Sequence, residues 1–273
     1  MKGNNKLGAL LAIVGIIIGL IFLYQMAGQY NLVMNAKINT GRLDEATSVR
    51  IVYPVLGWLG VTASAVWAAA MYGFLKNQKW AWIAGVMAAS FQLLGGFFPA
   101  IPAMDSQLAT PTLLVFVLAA VLWFGMMLIG GVKGWVVLLA FVAGIAFVLT
   151  YMDGVAPISK FTTSKDNPFW NGMYMMTQQI AWIGAWGWAA FIFALVAKKK
   201  WVIPMGIFAA VMSMIAGYPL GINNALYEVH RFSLFLPAPI ISTLLLVYIL
   251  LPGTQKKLND WVASADPAPV AAS

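Results

Sequence analysis

Long apolar segments alternate with short polar segments along almost the whole chain. Eight windows are each apolar over about 20 residues, which is the length that crosses the hydrocarbon core of a bilayer as a helix. These windows are residues 7–28, 51–75, 80–99, 110–130, 134–152, 172–197, 201–219 and 232–251. The pattern therefore predicts an all-α polytopic membrane protein with about eight transmembrane helices.

Composition supports the bilayer as the solvent of this chain. Hydrophobic residues make up 62% of the 273 residues, and charged residues make up only 9%. A soluble domain carries about 25% charged residues, so this chain lacks the means to cover a water-facing surface. The lipid bilayer is accordingly the first predicted partner.

The distribution of charge indicates the orientation of the helices. With eight spans and a cytoplasmic N-terminus, ten lysines lie on the inner side, whereas the outer side carries six cations and six acids. The inner lysines are Lys2, Lys6, Lys76, Lys79, Lys133, Lys198, Lys199, Lys200, Lys256 and Lys257. Positive charge favours cytoplasmic connections, so we predict a multi-pass protein of the cytoplasmic membrane with both termini cytoplasmic. The net charge of +8 is then a topology signal, and nucleic acid is excluded as a partner.

The two halves of the sequence resemble one another at a shift of 121 residues. Of the 49 residues 53–101, 11 are identical to the residue 121 positions later, including Trp67 with Trp188 and Gly85 with Gly206. Met26-Ala27-Gly28 also resembles Met152-Asp153-Gly154 at a slightly different offset. We interpret this as a tandem duplication of a four-helix unit. The alternative is that lysine turns and interfacial tryptophans recur in any polytopic protein.

The duplication predicts three regions. Residues 1–131 form a first four-helix membrane repeat, residues 132–258 form a second, and residues 259–273 form a disordered cytoplasmic tail. Because four is an even number, both repeats enter the membrane in the same sense. They are then expected to be related by a pseudo-twofold axis along the membrane normal.

Several kinds of chemistry are disfavoured by residues that the sequence lacks. Absence of cysteine excludes disulfides, thiolate metal sites and thiol nucleophiles, and a single histidine excludes bis-histidine haem ligation. No ionisable residue falls near the centre of a predicted span, which counts against an ion-driven pump. The methionines at 173, 175 and 176 are typical of packing rather than of a copper site. We therefore predict no metal, no cofactor and no enzymatic activity.

Amides and tryptophans inside the predicted spans are the first candidate ligand-binding residues. Gln92 lies within the third span, and the sixth span carries Gln178, Gln179, Trp182 and Trp186. Amides in hydrocarbon need partners, so they are expected to face protein or a cavity. Hydrogen bonding between helices is one interpretation, and a lining for a neutral or lipophilic ligand is the other.

A second group of candidates follows the third and seventh spans. Proline and glycine near Pro99 and Pro219 are expected to break helices there, and ordinary helix ends are the alternative. The ligand-binding candidates in this region are Asn223, Asn224, Glu228, His230 and Arg231. An interfacial ion pair that anchors the start of the eighth span is the competing interpretation of the last three.

Two hypotheses of function follow. In the first, the protein handles or passively transports a small neutral or lipophilic ligand at a site between the two repeats. In the second, it is an accessory or structural subunit that packs against other membrane subunits. The paired breaks favour the first hypothesis, and the wide tryptophan belt favours the second.

The lysine alternation generates a topology prediction. Cysteines introduced at Asn77 and Lys199 should be shielded from an impermeant thiol reagent applied outside intact cells. Cysteines at Asp105 and Asp166 should be labelled, because they fall in outer connections. Labelling at Asn77 from outside would contradict the eight-span arrangement.

Overall fold

The protein is helical throughout the part of the chain that the structure describes. The computed structural model describes residues 4–155, 157–158 and 168–264, and no β-strand occurs among them. Its helices are α1 (Asn5–Asn39), α2 (Leu43–Leu75), α3 (Trp80–Phe97), α4 (Ala100–Asp105), α5 (Thr112–Ile129), α6 (Gly134–Asp153), α7 (Pro168–Val196), α8 (Val202–Asn223), α9 (Pro237–Leu250) and α10 (Pro252–Ala263). A short π-helix, Asn224–Val229, continues α8.

Seven of the described helices are long and apolar enough to cross a membrane. The number becomes eight if α9 and α10, which meet at an angle of 76°, count as one bent span. Helices of this length and hydropathy fit an integral membrane protein, as the apolar windows predicted. The difference between seven and eight depends on α9, whose 14 residues are about 21 Å long.

The first two helices are much longer than their apolar windows. α1 has 35 residues and α2 has 33, so each exceeds the hydrocarbon thickness of about 30 Å by roughly 20 Å. The predicted outer loop between them is reduced to a turn, in which Gly41 adopts a φ of +75° that suits glycine. The segment before Gly41 contains no helix breaker, and Asp44 and Glu45 stabilise the first turn of α2 through the helix dipole.

An ion cluster ties this helical turn to the end of α4. Lys37 is only 1% exposed, and its Nζ lies 2.7 Å from Glu45 Oε2 and is also paired with Asp105 Oδ2. Arg42 Nη1 lies 2.6 Å from the same Asp105 oxygen. Both acids are about half exposed, so they keep much of their hydration while Lys37 does not.

The two expected proline breaks behave differently. α3 ends at Phe97, and Pro99 precedes the separate short helix α4, so a break is present near Pro99. No helix ends at Pro219, because Pro219 lies inside α8, which continues to Asn223 and then into the π-helix. Neighbouring helices can satisfy the carbonyl that a proline leaves unbonded, and α7 and α9 pack against α8.

The chain divides into two compact units within α6. Among the described residues, the first unit comprises residues 4–137 and 158, and the second comprises residues 138–155, 157 and 168–264. In the first unit, α1 packs on α2 and α5, and α3 packs on α2 and α5. In the second, α8 packs on α7 and α9. The division falls six residues after the predicted boundary at residue 131, because α6 begins beside the first unit and ends in the second.

The predicted disordered tail is helical at its start. α10 extends to Ala263, and Trp261 Nε1 donates a hydrogen bond of 2.7 Å to the carbonyl oxygen of Leu195 near the end of α7. Leu258 is buried on the same face of α10. The expectation of disorder is therefore wrong for residues 259–263. Ser264 caps the end of α10, and the remaining residues of that predicted tail, 265–273, lie outside the described residues.

The ion cluster predicts an asymmetric response to substitution. Glu45→Gln/Asp105→Asn leaves the buried Lys37 ammonium without a carboxylate and should destabilise the protein by about 3 kcal/mol. Lys37→Met removes the buried charge and leaves two hydrated acids beside Arg42, so it should cost no more than about 1 kcal/mol. Thermal melting in detergent measures both effects, with Asp260→Asn on the exposed side of α10 as the control. Equal destabilisation by the two variants would contradict the burial of Lys37.

Candidate ligand site in the second unit

Gln92 holds three helices of the first unit together. It is completely buried, its Oε1 accepts a hydrogen bond of 3.0 Å from Trp67 Nε1, and its Nε2 donates one of 2.7 Å to the carbonyl oxygen of Gly15. α1, α2 and α3 therefore meet at one amide. Gln92 faces protein as predicted, and its contacts correspond to hydrogen bonding between helices.

A similar hydrogen bond occurs 121 residues later in the second unit. Trp188 Nε1 donates to Ser213 Oγ at 3.1 Å, and Trp188 and Ser213 are the positions equivalent to Trp67 and Gln92. Thr150 Oγ1 on α6 also donates to Ser213 Oγ at 3.1 Å, and Ser213 donates to the carbonyl oxygen of Ala209. This hydroxyl has therefore used its one donor and both of its lone pairs.

Asp153, one turn beyond Thr150, is buried, and one of its carboxylate oxygens has no partner among the described residues. Only 2% of the residue is exposed, and its Oδ2 has no hydrogen-bond partner in the part of the chain that the structure describes. The sequence placed Asp153 in an outer connection, but α6 includes it as its last residue. A carboxyl group in this position is costly unless a partner binds it, and it marks a candidate functional site.

The indole ring of Trp182 packs against Gly154, the residue that follows Asp153. A Cβ atom on Gly154 would lie 2.2 Å from Trp182 Cδ1 and 2.4 Å from its Nε1, so only glycine allows this approach of the indole to the backbone. The indole ring stacks on Tyr151, with ring centroids 5.8 Å apart and planes inclined by 17°. Trp182 Nε1 is buried and, among the described residues, has no hydrogen-bond partner. A donor and an acceptor without partners among the described residues thus belong to two residues that both adjoin Gly154.

Trp182 lies at the middle of α7 rather than at its end, so Gly154 and the end of α6 lie beside the middle of that helix. Trp182 follows the first residue of α7, Pro168, by 14 positions and precedes the last, Val196, by 14. Each half of the helix is about 21 Å long. Asp153 itself is the last residue of its own helix, α6, and that helix ends beside the midpoint of α7.

Aromatic side chains continue from this pair along α6 and α7. Phe147 lies 6.4 Å from Tyr151 and 6.4 Å from Trp186, measured between ring centroids. Phe147 and Tyr151 are buried, whereas Trp186 is 51% exposed. We call Phe147, Tyr151, Trp182 and Trp186 the aromatic ladder. It connects the buried polar pair with the surface of the chain.

The other amides on α7 lie outside this group. Gln178, one turn before Trp182, is half-buried. Gln179 is exposed on the surface of the chain and is not packed between helices. Adjacent residues on a helix point in directions about 100° apart, which explains why one of the two amides is more exposed than the other.

The candidates after Pro219 are used in local structure or are exposed. Asn223 Nδ2 donates to Tyr174 Oη, and Asn224 Oδ1 accepts a hydrogen bond of 2.8 Å from Ser233 Oγ. His230 ends the π-helix in the left-handed region with a φ of +49°. His230 and Arg231 are exposed, and the side chain of Glu228 lies outside the described residues. A ligand site formed by these five residues stays a prediction.

The resemblance between the two halves of the sequence marks Asp153 as unusual. Met152-Asp153-Gly154 aligns with Met26-Ala27-Gly28, so an acid occupies the position at which the first half has alanine. Helix α1 continues for 11 residues beyond Gly28, whereas α6 ends at Asp153. The sequence prediction missed the site because a residue at the end of an apolar window was assigned to the surface.

Neither a metal-binding cluster among the described residues nor similarity to known proteins assigns a role to this site. Among the described residues, no group of three or more histidine, aspartate or glutamate side chains could hold a metal ion. Comparison with protein-family models, curated proteins and solved structures gives no significant match. The fold defines the class of the chain, a helical multi-pass membrane protein, and the site rests on its own geometry.

The contacts of Gln92 predict that it contributes to stability and not to ligand binding. Gln92→Leu should orphan the Trp67 N–H and the Gly15 carbonyl group and destabilise the protein by about 1–3 kcal/mol. Gln178→Leu changes a half-buried amide and should cost much less. Melting temperatures of the two variants in detergent measure the difference. A neutral effect of Gln92→Leu would contradict its role between helices.

Proposed function

We propose that this chain is a non-catalytic integral membrane protein that binds a small lipophilic ligand in its second unit. The observation that carries the proposal is the pair of buried polar groups, Asp153 carboxyl and Trp182 indole N–H, which lack partners among the described residues. A buried polar group without a partner costs about 1–3 kcal/mol. A ligand that satisfies both groups removes this cost.

The surroundings of the pair favour a ligand with one polar group and an apolar body. The polar group would lie beside Gly154, between the carboxyl group and the indole N–H. The apolar body would lie along the aromatic ladder toward Trp186, which is exposed at the surface. Sites of this composition, mostly apolar with a few polar groups, are typical of small-molecule binding.

The proposal includes a tandem duplication in which only the second unit binds the ligand. The hydrogen bonds Trp67–Gln92 and Trp188–Ser213 support it, because they join equivalent pairs at the same spacing. In the first unit, the counterpart of Asp153 is Ala27 within the longer helix α1. The first unit would then serve as a scaffold, and any transport would be passive.

An accessory role in a membrane complex is the second candidate. It is favoured by large exposed apolar side chains close to the π-helix, where Tyr227 is 72% exposed and Leu234 is 81% exposed. Such side chains suit either lipid or a partner subunit. The two candidates differ in whether the purified chain binds a small ligand saturably.

The ligand site predicts binding that depends on the Trp182 N–H. In purified protein, 4-phenylbutan-1-ol should bind saturably, because its hydroxyl group can both donate and accept a hydrogen bond. Trp182→Phe keeps an aromatic ring without the N–H and should weaken binding about 5- to 10-fold, which corresponds to one hydrogen bond. Equilibrium dialysis measures the affinity.

Trp58→Phe provides the matched control for this experiment. Trp58 is 71% exposed and lies in the first unit, so its replacement should leave the affinity unchanged. Absence of saturable binding by the unmodified protein would contradict ligand handling and favour the accessory role. Equal losses in the two variants would show that binding occurs elsewhere.

A further inference from the structure

We propose that the ligand carries a positive charge, so that the site binds an amphiphilic organic ammonium ion through Asp153. This inference rests on the proposed ligand binding in the second unit and specifies its chemistry. The ammonium group would lie at the Asp153 carboxylate, and the apolar part would lie along the aromatic ladder.

The described part of the second unit supplies no cation to Asp153. Each described ion pair joins Lys37 or Arg42 with Glu45 or Asp105, and all four residues belong to the first unit. Lys198 follows the end of α7, where its Nζ donates to Ser264 Oγ at 2.8 Å and lies 4.1 Å from the centroid of the Trp261 ring. The end of α7 is about 21 Å from Trp182 along the helix.

A buried carboxylate without a counterion is strongly destabilising. Removing one partner of a buried ion pair is strongly destabilising, because the remaining charge has lost its hydration. Asp153 has the burial of such a group, since only 2% of it is exposed. A cation brought by the ligand would restore the balance. The binding energy of such a ligand would then include relief of this cost.

The residues around Asp153 fit an organic cation better than a metal ion. Calcium takes six to eight oxygen ligands, and magnesium requires octahedral coordination, but the described residues contain no cluster of three acids or histidines. Organic ammonium ions are instead recognised by one carboxylate together with aromatic rings. Tyr151 precedes Asp153 by two residues, and Trp182 contacts the following glycine.

The first unit shows how the chain treats a buried charge that it satisfies itself. Lys37 is equally buried, yet it is paired with two carboxylates from α2 and α4. Asp153 has no comparable arrangement among the residues that the structure describes, and Trp182 also keeps an unused N–H. Two groups without described partners, on residues that both adjoin Gly154, suit a ligand that brings a cation and an apolar body.

A pair of probes with the same shape and different charge tests the inference. Benzyltrimethylammonium and neopentylbenzene differ only by a quaternary nitrogen in place of a carbon atom. The purified protein should bind the ammonium probe at least 10-fold more tightly than the neutral probe. Asp153→Asn, which keeps the size of the side chain, should reduce the preference to less than 2-fold. Asp260→Asn, at an exposed position on α10, should retain it.

The outcomes separate the inference from the proposed function. Saturable binding of both probes with equal affinity would overturn the ammonium inference and leave lipophilic-ligand binding in place. Absence of saturable binding of either probe, together with none of 4-phenylbutan-1-ol, would overturn both. If Asp153→Asn keeps the full preference for the cation and its melting temperature is unchanged, the charge is recognised elsewhere and the inference is wrong.

A lysine from the chain itself is the competing counterion, and it can be tested directly. Lys160 and Lys165 follow α6 in the sequence and lie outside the described residues. Lys160→Gln and Lys165→Gln should leave the affinity for benzyltrimethylammonium unchanged. A marked increase in affinity in either variant would assign Asp153 to that lysine and overturn the inference.

Discussion

In each unit, a buried tryptophan donates its indole N–H to a polar side chain 25 residues further along, on the next helix. Between apolar helices in a bilayer, burial of apolar surface adds little, because the lipid is as apolar as the side chains. Hydrogen bonds between specific groups therefore determine which faces meet. Gln92 accepts such a bond and donates a second one to the carbonyl oxygen of Gly15 on a third helix. Ser213 donates to Ala209 within its own helix, and it accepts a further bond from Thr150 on α6.

The requirement that buried groups be satisfied separates structural polar residues from candidate binding residues. Gln92, Ser213, Asn223 and Asn224 are bonded to other parts of the chain. Asp153 and the Trp182 N–H are not, within the described residues. Burial does not distinguish the bonded polar residues from Asp153 and the Trp182 N–H, since both sets are buried. The distinction depends on hydrogen-bond partners, which only a three-dimensional structure can show.

The sequence predicted the helical, multi-pass architecture because apolar windows report directly on solvent preference. It underestimated α1 and α2, since hydropathy detects the part of a helix in lipid and not the polar turns that extend beyond it. It also gave Pro219 and Pro99 the same role, although Pro219 lies inside α8. A proline in the sequence shows that one backbone N–H donor is missing. Whether the helix continues past it depends on the packing of neighbouring helices.

The candidate site was predicted only in part, for a related reason. Trp182 was selected from its spacing along α7, and the structure places it beside Gly154. Gln179 was selected by the same argument and is exposed. Asp153 was assigned to a surface connection, because a window average cannot show that α6 ends beside the midpoint of α7. The contact between one helix end and the middle of another is a tertiary feature without a local sequence pattern.

The shortness of α9 has a consequence for the surrounding lipid. If α9 crosses the bilayer, its 14 residues are about 9 Å shorter than an average hydrocarbon core, whereas α1 is longer than that core. Lipid acyl chains next to α9 must then compress or disorder, at a cost of a fraction of a kcal/mol for each Å of mismatch. The protein would thin the membrane next to α9, and it would accumulate where short-chain lipids reduce that elastic cost.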